Sequence, residues 1–194
     1  EGDLERTPFL HLIAQILLRG LSGTLAIWPE DESVRGQDRV RFEAGKPVAA
    51  RLLGSAPPVL ERALLPLFPR TRGAFAFYEG VDLAPDAAVR GSAEPLALLA
   101  ASLRVGARRD AVEAVLEQYA GMTLRFTGSA DVKRYALLPK EERLVDVMRA
   151  GPATPEELAA HSELGLELGQ RLVYLFLVTK ALEPYQPVAR ASAE

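Results

Sequence analysis

The side chains that could act as nucleophiles, acids, bases or metal ligands are few in this chain. There is no cysteine and there are two histidines, His11 and His161, which excludes disulfides, thiolate nucleophiles and zinc–thiolate sites. The sequence contains no nucleophile elbow, no Walker A loop and no dinucleotide-binding glycine pattern. Because no nucleophile, base and orienting group can be nominated together, the sequence predicts a protein that is not an enzyme and has no cofactor or metal site.

The acidic pairs and the two histidines need no catalytic or metal-binding role, because positions at helix ends or in contact with solvent account for them. Glu141-Glu142 and Glu156-Glu157 fall in the first turns of predicted helices, where a negative charge is favoured. The acids at 30–32 lie in a polar loop without the spacing of a calcium loop. His11 is predicted to be a partly exposed position on a helix, and His161 lies near the end of a short helix, where an imidazolium is favoured.

Three arginines form the candidate partner-binding site: Arg39, Arg41 and Arg51. Together with Lys46 they alternate with apolar residues along two predicted strands, so we expect them to share the outer face of a sheet. Arg39 and Arg51 are expected to lie near each other across the hairpin. Such a face would bind an acidic protein surface or, alternatively, a small anion or nucleotide. The other interpretation is an ordinary polar face that is balanced by acidic neighbours.

The stretch from Ser22 to Leu53 must position these arginines. Its alternation of apolar and polar residues predicts three strands, with a turn at Ala44-Gly45 between the last two. The inner, buried residues are predicted to be Leu25, Ile27, Val40, Phe42, Val48 and Leu52. One face of this sheet is therefore expected to be buried and the other to be exposed to solvent.

Helices and one more strand flank this hairpin. Thr7 is a candidate N-cap and Pro8 suits the first helical position. An apolar stripe with helical spacing follows at Phe9, Leu12, Ile13, Ile16 and Leu17. Further along, the patterns predict a short helix with Leu60, Leu64 and Leu67 on one side, a strand at 73–78, and helices at 95–104 and 110–119, the last with capping-box spacing between Asp110 and Glu113. The first half thus reads as α-β-β-β-α-β.

The last third of the sequence is predicted to form three helices, of which the second is short, as in a helix-turn-helix domain. The first spans Lys140 to Ala150, the second starts at the strong signal of Thr154 and its following proline and acids, and the third extends to about Lys180. The segment from Lys140 to Glu183 has five basic and eight acidic residues, a net charge of −3, and its third helix is apolar nearly all round. Since a recognition helix needs donors for bases and phosphates, nucleic-acid binding is the alternative and not the leading prediction.

A set of fold-forming residues gives the first half a family resemblance. These are the helix Pro8 to Arg19, the turn Leu21-Ser22-Gly23-Thr24-Leu25, the hairpin Val40 to Ala50 and the strand Gly73 to Phe77. They match the family pattern of a leading helix, a "TGxL" strand, an "I-x-F-x-x-G-x-I-x-x-A" hairpin and a "G-x-F-x-F" strand. In the second of these, Ser22 stands where threonine is usual. The segment from Gly2 to Leu83 therefore resembles the bacterial PATAN (PatA N-terminal) domain.

The resemblance implies an interaction module of bacterial signalling proteins, often joined to receiver or other regulatory domains. Several such proteins are connected with surface motility and type IV pili. Leu99 to Asp110 resembles the helical connector of such proteins, and Lys140 to Pro184 is similar to the winged-helix-like tail that often follows. The family brings no catalytic residues to this chain. The resemblance thus implies a non-enzymatic adaptor that binds another protein or itself.

Composition agrees with a globular α+β protein. Apolar residues make up 48% of the 194 residues and the net charge is −3, which indicates a packed core and no polyanion ligand. No apolar run reaches the ~20 residues of a membrane span, so we expect a cytoplasmic protein without membrane insertion. The first residue, Glu1, is not methionine, which is typical of a piece of a longer protein.

The predicted fold is a small antiparallel sheet of about four strands packed with helices, followed by a mainly helical winged-helix-like domain. The predicted division is 1–90 for the PATAN-like α/β domain, 91–138 for a helical connector with a short strand, 139–185 for the tri-helical domain and 186–194 for a flexible tail.

Overall fold

The structure is a computed structural model that describes residues 1–30, 36–54, 57–160 and 165–185. Its helices are α1 (Phe9–Leu18), α2 (Leu60–Leu64), α3 (Pro95–Val105), α4 (Arg109–Gln118), α5 (Pro139–Ala150), α6 (Pro155–Ala160) and α7 (Leu166–Val178). Its strands are β1 (Gly2–Asp3), β2 (Gly23–Ile27), β3 (Asp38–Glu43), β4 (Lys46–Arg51), β5 (Ala74–Glu79), β6 (Val89–Arg90), β7 (Leu124–Phe126) and β8 (Leu182–Pro184). Short 3-10 turns follow α2 at Leu65–Leu67 and precede α5 at Val132–Tyr135.

The described chain forms two compact units that alternate along the sequence. Unit 1 contains Glu1–Ala111 and Val132–Ala136, and unit 2 contains Val112–Asp131 and the chain from Leu137. The predicted tail at 186–194, His161 and the acids at 31 and 32 lie outside the described residues. Within the described ranges, no helix combines the length and the apolar character needed to cross a bilayer.

Unit 1 is built on an antiparallel sheet with the strand order β1-β5-β2-β3-β4-β6. The predicted α+β class is confirmed, and the sheet has two strands more than the four expected. The additional strands, β1 and β6, have two residues each. A strand this short has no alternation that a sequence pattern can detect, so only its pairing defines it.

The hairpin of β3 and β4 carries most of the predicted inner face. Val40 and Phe42 are buried as expected, and so are Leu25 and Ile27 of the neighbouring strand. The other two predicted inner residues, Val48 and Leu52, are only half-buried.

A register shift between Arg41 and Phe42 explains the difference at Val48, which is the extra residue of a bulge. It places Pro47 opposite Phe42 and Ala50 opposite Val40, so a bulge, rather than simple alternation, selects the residues that meet the core.

The turn between these strands is constrained by its approach to α1. Gly45 has φ +81°, and a Cβ on it would lie 2.9 Å from the Cα of Leu17. Glycine is therefore required at this position both for its conformation and for lack of space. The lack of a side chain at Gly45 allows helix α1 to lie beside this end of the hairpin.

Helix α1 begins one residue later than the sequence predicts. Pro8 occupies the N-cap with ψ 142°, and no side-chain hydrogen bond caps the helix, so the prediction of Thr7 as the cap was wrong. The carbonyl of Pro8 already accepts hydrogen bonds from the backbone N–H groups of His11 and Leu12. The apolar stripe is buried except for Leu17, which is half-buried. Phe9 packs against Phe68 at a ring distance of 4.9 Å in an edge-to-face arrangement.

Unit 2 contains α5, α6, α7 and a small sheet of β7 and β8. Strand β7 precedes α5, whereas its antiparallel partner β8 follows α7. Leu124 of β7 also bridges to Ala153 between α5 and α6. Phe126 packs against Phe176 of α7 at 5.3 Å, so the first and last strands of the unit share its core.

Candidate functional site

The outer face of the large sheet carries the three predicted arginines. Directly opposed residues of antiparallel strands point to the same side. The register therefore places on this face a set of residues from five strands: Thr24, Ala26, Arg39, Arg41, Glu43, Lys46, Ala49, Arg51, Ala76, Tyr78 and Arg90. Arg39 lies directly opposite Arg51, as the alternation predicts. The structure thus brings all three arginines together on one surface.

A connection between β5 and β6 runs over this face. Strand β5 lies beside β2, whereas β6 lies beside β4 on the far side of the sheet, so the chain between them must pass β2, β3 and β4. We call residues 80–88 the crossover. The burial of Ala26 and Ala49, which are 0% and 2% exposed, is consistent with a face that is covered at its centre.

Each of the three arginines binds the crossover. Arg39 Nη1 donates a hydrogen bond of 2.7 Å to the carbonyl of Leu83, and Arg41 Nη1 donates one of 2.5 Å to Asp82. Arg51 forms an ion pair with Asp86. The arginines therefore fix a long connection on the sheet in this structure, a role that sequence reasoning did not foresee.

The pairing sets what the arginines can do chemically. Arg41 also binds Glu43 at 2.9 Å, so its guanidinium already faces two carboxylates. An anion or an acidic partner would have to displace Asp82 and Asp86 before it could take a bidentate position on these side chains. Binding of an acidic partner to these arginines would therefore release the crossover from the outer face.

Thr24 is the most buried polar contact with the crossover. Its side chain is fully buried, its Oγ1 donates a hydrogen bond of 2.7 Å to the carbonyl of Val81, and the same oxygen accepts one of 3.0 Å from the N–H of Leu83. Both hydrogen-bonding roles of the hydroxyl are thus used, one on each side of Asp82. Sequence reasoning missed this residue, because threonine is common in strands and gives no signal of its own.

Beside the crossover, β5 exposes an edge. Among the described residues, strand β1 pairs with β5 at Ala74 and Phe75; we call the remaining residues of β5, Ala76–Glu79, the open edge. Tyr78 of this edge is 39% exposed, and Val81, at the start of the crossover, is 45% exposed. Since the N–H of Val81 donates to the carbonyl of Tyr78, these two apolar side chains belong to one turn.

His11 is partly exposed on α1, as predicted. It is half-buried, and burial, with the nearby charge of Arg108 as a smaller cause, lowers the pKa of its imidazole below the ordinary value. Arg108 donates hydrogen bonds to the carbonyls of Leu4 and Glu5 and pairs with Asp110. His11 therefore faces a structural cation.

The predicted capping role of two acids is confirmed. Glu141 is buried and accepts a hydrogen bond of 2.7 Å from the N–H of Leu138. Glu157 accepts from the N–H of Thr154, while its own N–H donates to the Thr154 hydroxyl, which is a capping box. Asp110 differs, because it lies within α4 and binds Arg108. Glu30 is exposed and pairs with Arg72, and no group of three potential metal ligands occurs among the described residues.

Helix α7 offers little to a nucleic acid. Its residues from Leu172 to Leu177 are all buried, and its exposed positions are Leu166 and Glu167 at the start. Arg171 is engaged by Glu167 through an ion pair of 2.5 Å. The surface of this helix therefore lacks the row of donors that groove binding requires.

Compared with protein-family models, with curated proteins and with solved structures, the chain has no match. The resemblance to the PATAN domain therefore stays a prediction that rests on the residues quoted for it. Those residues form the leading helix, the hairpin and strand β5 of unit 1.

Proposed function

We propose that this chain is a non-enzymatic adaptor of bacterial signalling, a PATAN-like α/β unit joined to a winged-helix-like unit, which acts in the cytoplasm by binding another protein. The link to signalling, and through it to motility or polarity, depends on the family resemblance. The binding role depends on the surface of unit 1.

The observation that carries the proposal is the apolar turn beside the open edge. Tyr78 and Val81 are both more than one-third exposed, and they lie at the end of β5 where the crossover begins. Tyrosine is enriched in protein interfaces because it provides a large contact area with a polar tip.

The three arginines support this proposal less directly than the apolar turn does. Arg39, Arg41 and Arg51 were the candidate partner-binding residues, and each of them holds the crossover. Their use by an acidic partner or a small anion therefore requires the crossover to leave the sheet. Nucleic-acid binding through unit 2 is disfavoured by the net charge of −3 between Lys140 and Glu183 and by the burial of α7.

Capture of partners by the full chain tests the proposal. The immobilised protein is exposed to a lysate of its own source, and the bound proteins are compared with those held by a Tyr78→Asp, Val81→Asp double variant. A Val59→Asp variant serves as the control, because Val59 is 50% exposed on unit 1 and lies outside the open edge and the crossover. We expect a specific protein to be retained by the wild type and the control, and to be lost from the double variant.

A wild type that retains no protein above background would refute the proposal. Retention of the same protein by all three chains would show that binding occurs elsewhere. Far-UV circular dichroism of each variant establishes that the loss of binding does not follow from unfolding.

A further inference from the structure

A fourth arginine joins the three that hold the crossover. Arg90 of β6 lies opposite Ala49 of β4, and Ala49 lies opposite Arg41 of β3, so the side chain of Arg90 belongs to the outer face. Its Nη2 donates a hydrogen bond of 2.5 Å to the carbonyl of Pro85. Sequence reasoning missed Arg90, because a strand of two residues has no alternation. We use the name arginine cradle for the set Arg39, Arg41, Arg51 and Arg90.

The four guanidinium groups of the cradle converge on one short stretch of chain. Their acceptors are the carboxylates of Asp82 and Asp86 and the main-chain carbonyls of Leu83 and Pro85. Carboxylates together with main-chain carbonyls are what an acidic peptide presents to arginine donors. The crossover is therefore an acidic peptide that the cradle binds within the same chain.

The outer face has more positive charge than the crossover neutralises. Among the described residues, the register places on it five cations, the cradle and Lys46, and one acid, Glu43. The crossover contains two acids, Asp82 and Asp86, and no lysine or arginine. An acidic segment from another chain is therefore attracted to this face, whereas the net charge of −3 of the whole chain disfavours a long polyanion such as a nucleic acid.

The crossover is held firmly at its start. The fully buried hydroxyl of Thr24 binds the main chain on both sides of Asp82, and Arg39 binds the carbonyl of Leu83. Ala84, which follows, is 1% exposed. Buried hydrogen bonds and a buried side chain thus fix residues 81–84 on the sheet.

The stretch 85–88 is held less firmly. The side chains of Arg51 and Asp86 are 51% and 56% exposed, and an ion pair so open to water contributes little to stability. Val89, at the end of the stretch, is buried again. We therefore expect residues 85–88 to open while the chain on either side stays in place, and this opening uncovers Arg51 and Arg90.

We propose that the arginine cradle is a binding site for an acidic peptide segment of a partner protein, and that the crossover occupies this site as an internal competitor. Carboxylates of the partner take the place of Asp86 on Arg51 and bind Arg90 beside it. The apolar turn with Val81 lies next to Asp82, so a partner that contacts this turn brings its acidic segment to the cradle. The inference rests on the proposed adaptor function and specifies the chemistry of the partner.

Competition with the crossover lowers the apparent affinity of such a segment. The affinity for the open state is reduced by the fraction of molecules that are open, and a segment tethered in the same chain has an effective concentration in the millimolar range. A substitution that weakens the crossover must therefore strengthen the binding of an acidic peptide. A substitution in the cradle must weaken it.

A synthetic peptide with the sequence of residues 80–88 and blocked ends is the probe. It is titrated to about 10 mM, above the effective concentration of the crossover, into the isotope-labelled full chain at low salt, and amide chemical shifts report binding. The Asp82→Asn, Asp86→Asn double variant removes both charges of the crossover and keeps the oxygen that accepts from the N–H of Ala84. We expect it to bind the peptide at least about fivefold more tightly than the wild type, because two ion pairs no longer compete.

A charge-matched control separates this competition from a general effect of charge. The Glu61→Gln, Glu79→Gln double variant removes two charges outside the cradle. Glu61 is exposed on α2, and Glu79 shares the inner side of the sheet with Phe42, since both lie opposite Gly23. Its affinity for the peptide should stay within about twofold of the wild-type value, because exposed charges outside the site are screened.

Two further measurements locate the bound peptide. Arg51→Gln and Arg90→Gln, added together to the asparagine double variant, should weaken binding at least about tenfold, because two charged donors are lost. In the wild type, addition of the peptide should accelerate hydrogen exchange at the amide of Ala87, which donates to the carbonyl of Ala84 in the closed crossover. A peptide bound elsewhere would leave this exchange rate unchanged.

Equal affinity of the wild type and the asparagine double variant overturns the inference, and so does an increase that the glutamate control shares. Binding that survives the loss of Arg51 and Arg90 also overturns it. If no chain binds the peptide but capture from the lysate depends on Tyr78 and Val81, the inference fails and the adaptor function stands. If the peptide binds as expected and no protein is captured, the adaptor function fails while the peptide site holds.

Discussion

Replacing Thr24 by valine tests how the crossover is held on the sheet. Valine keeps the branched shape of the side chain and its place in the strand, and it removes only the hydroxyl. The carbonyl of Val81 and the N–H of Leu83 then lose their partner. The perturbation therefore isolates two hydrogen bonds at a position that is fully buried.

The expected loss of stability follows from those two bonds. A hydrogen bond of this kind contributes about 1 kcal/mol net, so we expect the free energy of unfolding to fall by about 2 kcal/mol, which is roughly thirtyfold in the equilibrium constant. The exposed pair of Arg51 and Asp86, whose side chains are both about half exposed, should contribute about 0–1 kcal/mol. Thr24→Val should therefore cost more than Arg51→Gln, although arginine makes the more conspicuous contact.

Urea unfolding followed by tryptophan fluorescence measures the effect on unit 1, because Trp28 is the sole tryptophan of the chain. With a slope of ~2 kcal/mol per molar urea, the midpoint should fall by about 1 M. Hydrogen exchange at the amide of Leu83 reports on the crossover itself, and it should lose protection in Thr24→Val but keep it in Thr24→Ser, which retains the hydroxyl. An unchanged midpoint together with a protected Leu83 amide in the valine variant would show that Thr24 does not hold the crossover.

Three further outcomes are expected. Asp38→Asn should lower the free energy of unfolding of unit 1 by about 2 kcal/mol, measured in urea, because Asp38 is fully buried and pairs with Arg70, which is one-third exposed. A fall of less than about 0.5 kcal/mol would contradict this. Burial, and to a smaller degree the charge of Arg108, lowers the pKa of His11, so the folded state resists protonation. Stability is therefore full above the ordinary histidine pKa and falls as the pH drops below it. His11→Gln should flatten the pH dependence of the unfolding midpoint between pH 7.5 and 5, and an unaltered slope would refute the assignment. Thr154→Ala should raise the amide exchange rate of α6 about fivefold, from a cap worth about 1 kcal/mol, and equal exchange in both chains would exclude the cap.

Local patterns were sufficient for the inner face of the sheet. Leu25, Ile27, Val40 and Phe42 alternate with polar residues and are buried as predicted, because the period of a strand is a property of the backbone. The same reasoning placed the arginines together on the opposite face. It failed where the pairing departs from strict alternation, at the bulge that brings Pro47 opposite Phe42.

The crossover could not be predicted from the sequence, because its contacts are non-local. Arg39, Arg41 and Arg51 bind residues that lie 35 or more positions further along the chain, and no periodicity links such partners. One signal was present in Ala26 and Ala49, which are small side chains on a face expected to be wet. Small residues there leave room for a second layer of chain, and both are buried.

The alternation of the two units along the chain determines the order in which they can form during synthesis. Unit 1 lacks Val132–Ala136 until the first strand of unit 2 has already been made, and β7 has no strand partner until Leu182–Pro184 emerges. At a synthesis rate of ~5–20 residues per second, β8 is made several seconds after β7. During that interval the side chain of Leu124, which is buried in the folded unit, lacks its strand partner, and transiently exposed apolar surface of this kind is where a nascent chain aggregates or binds a chaperone.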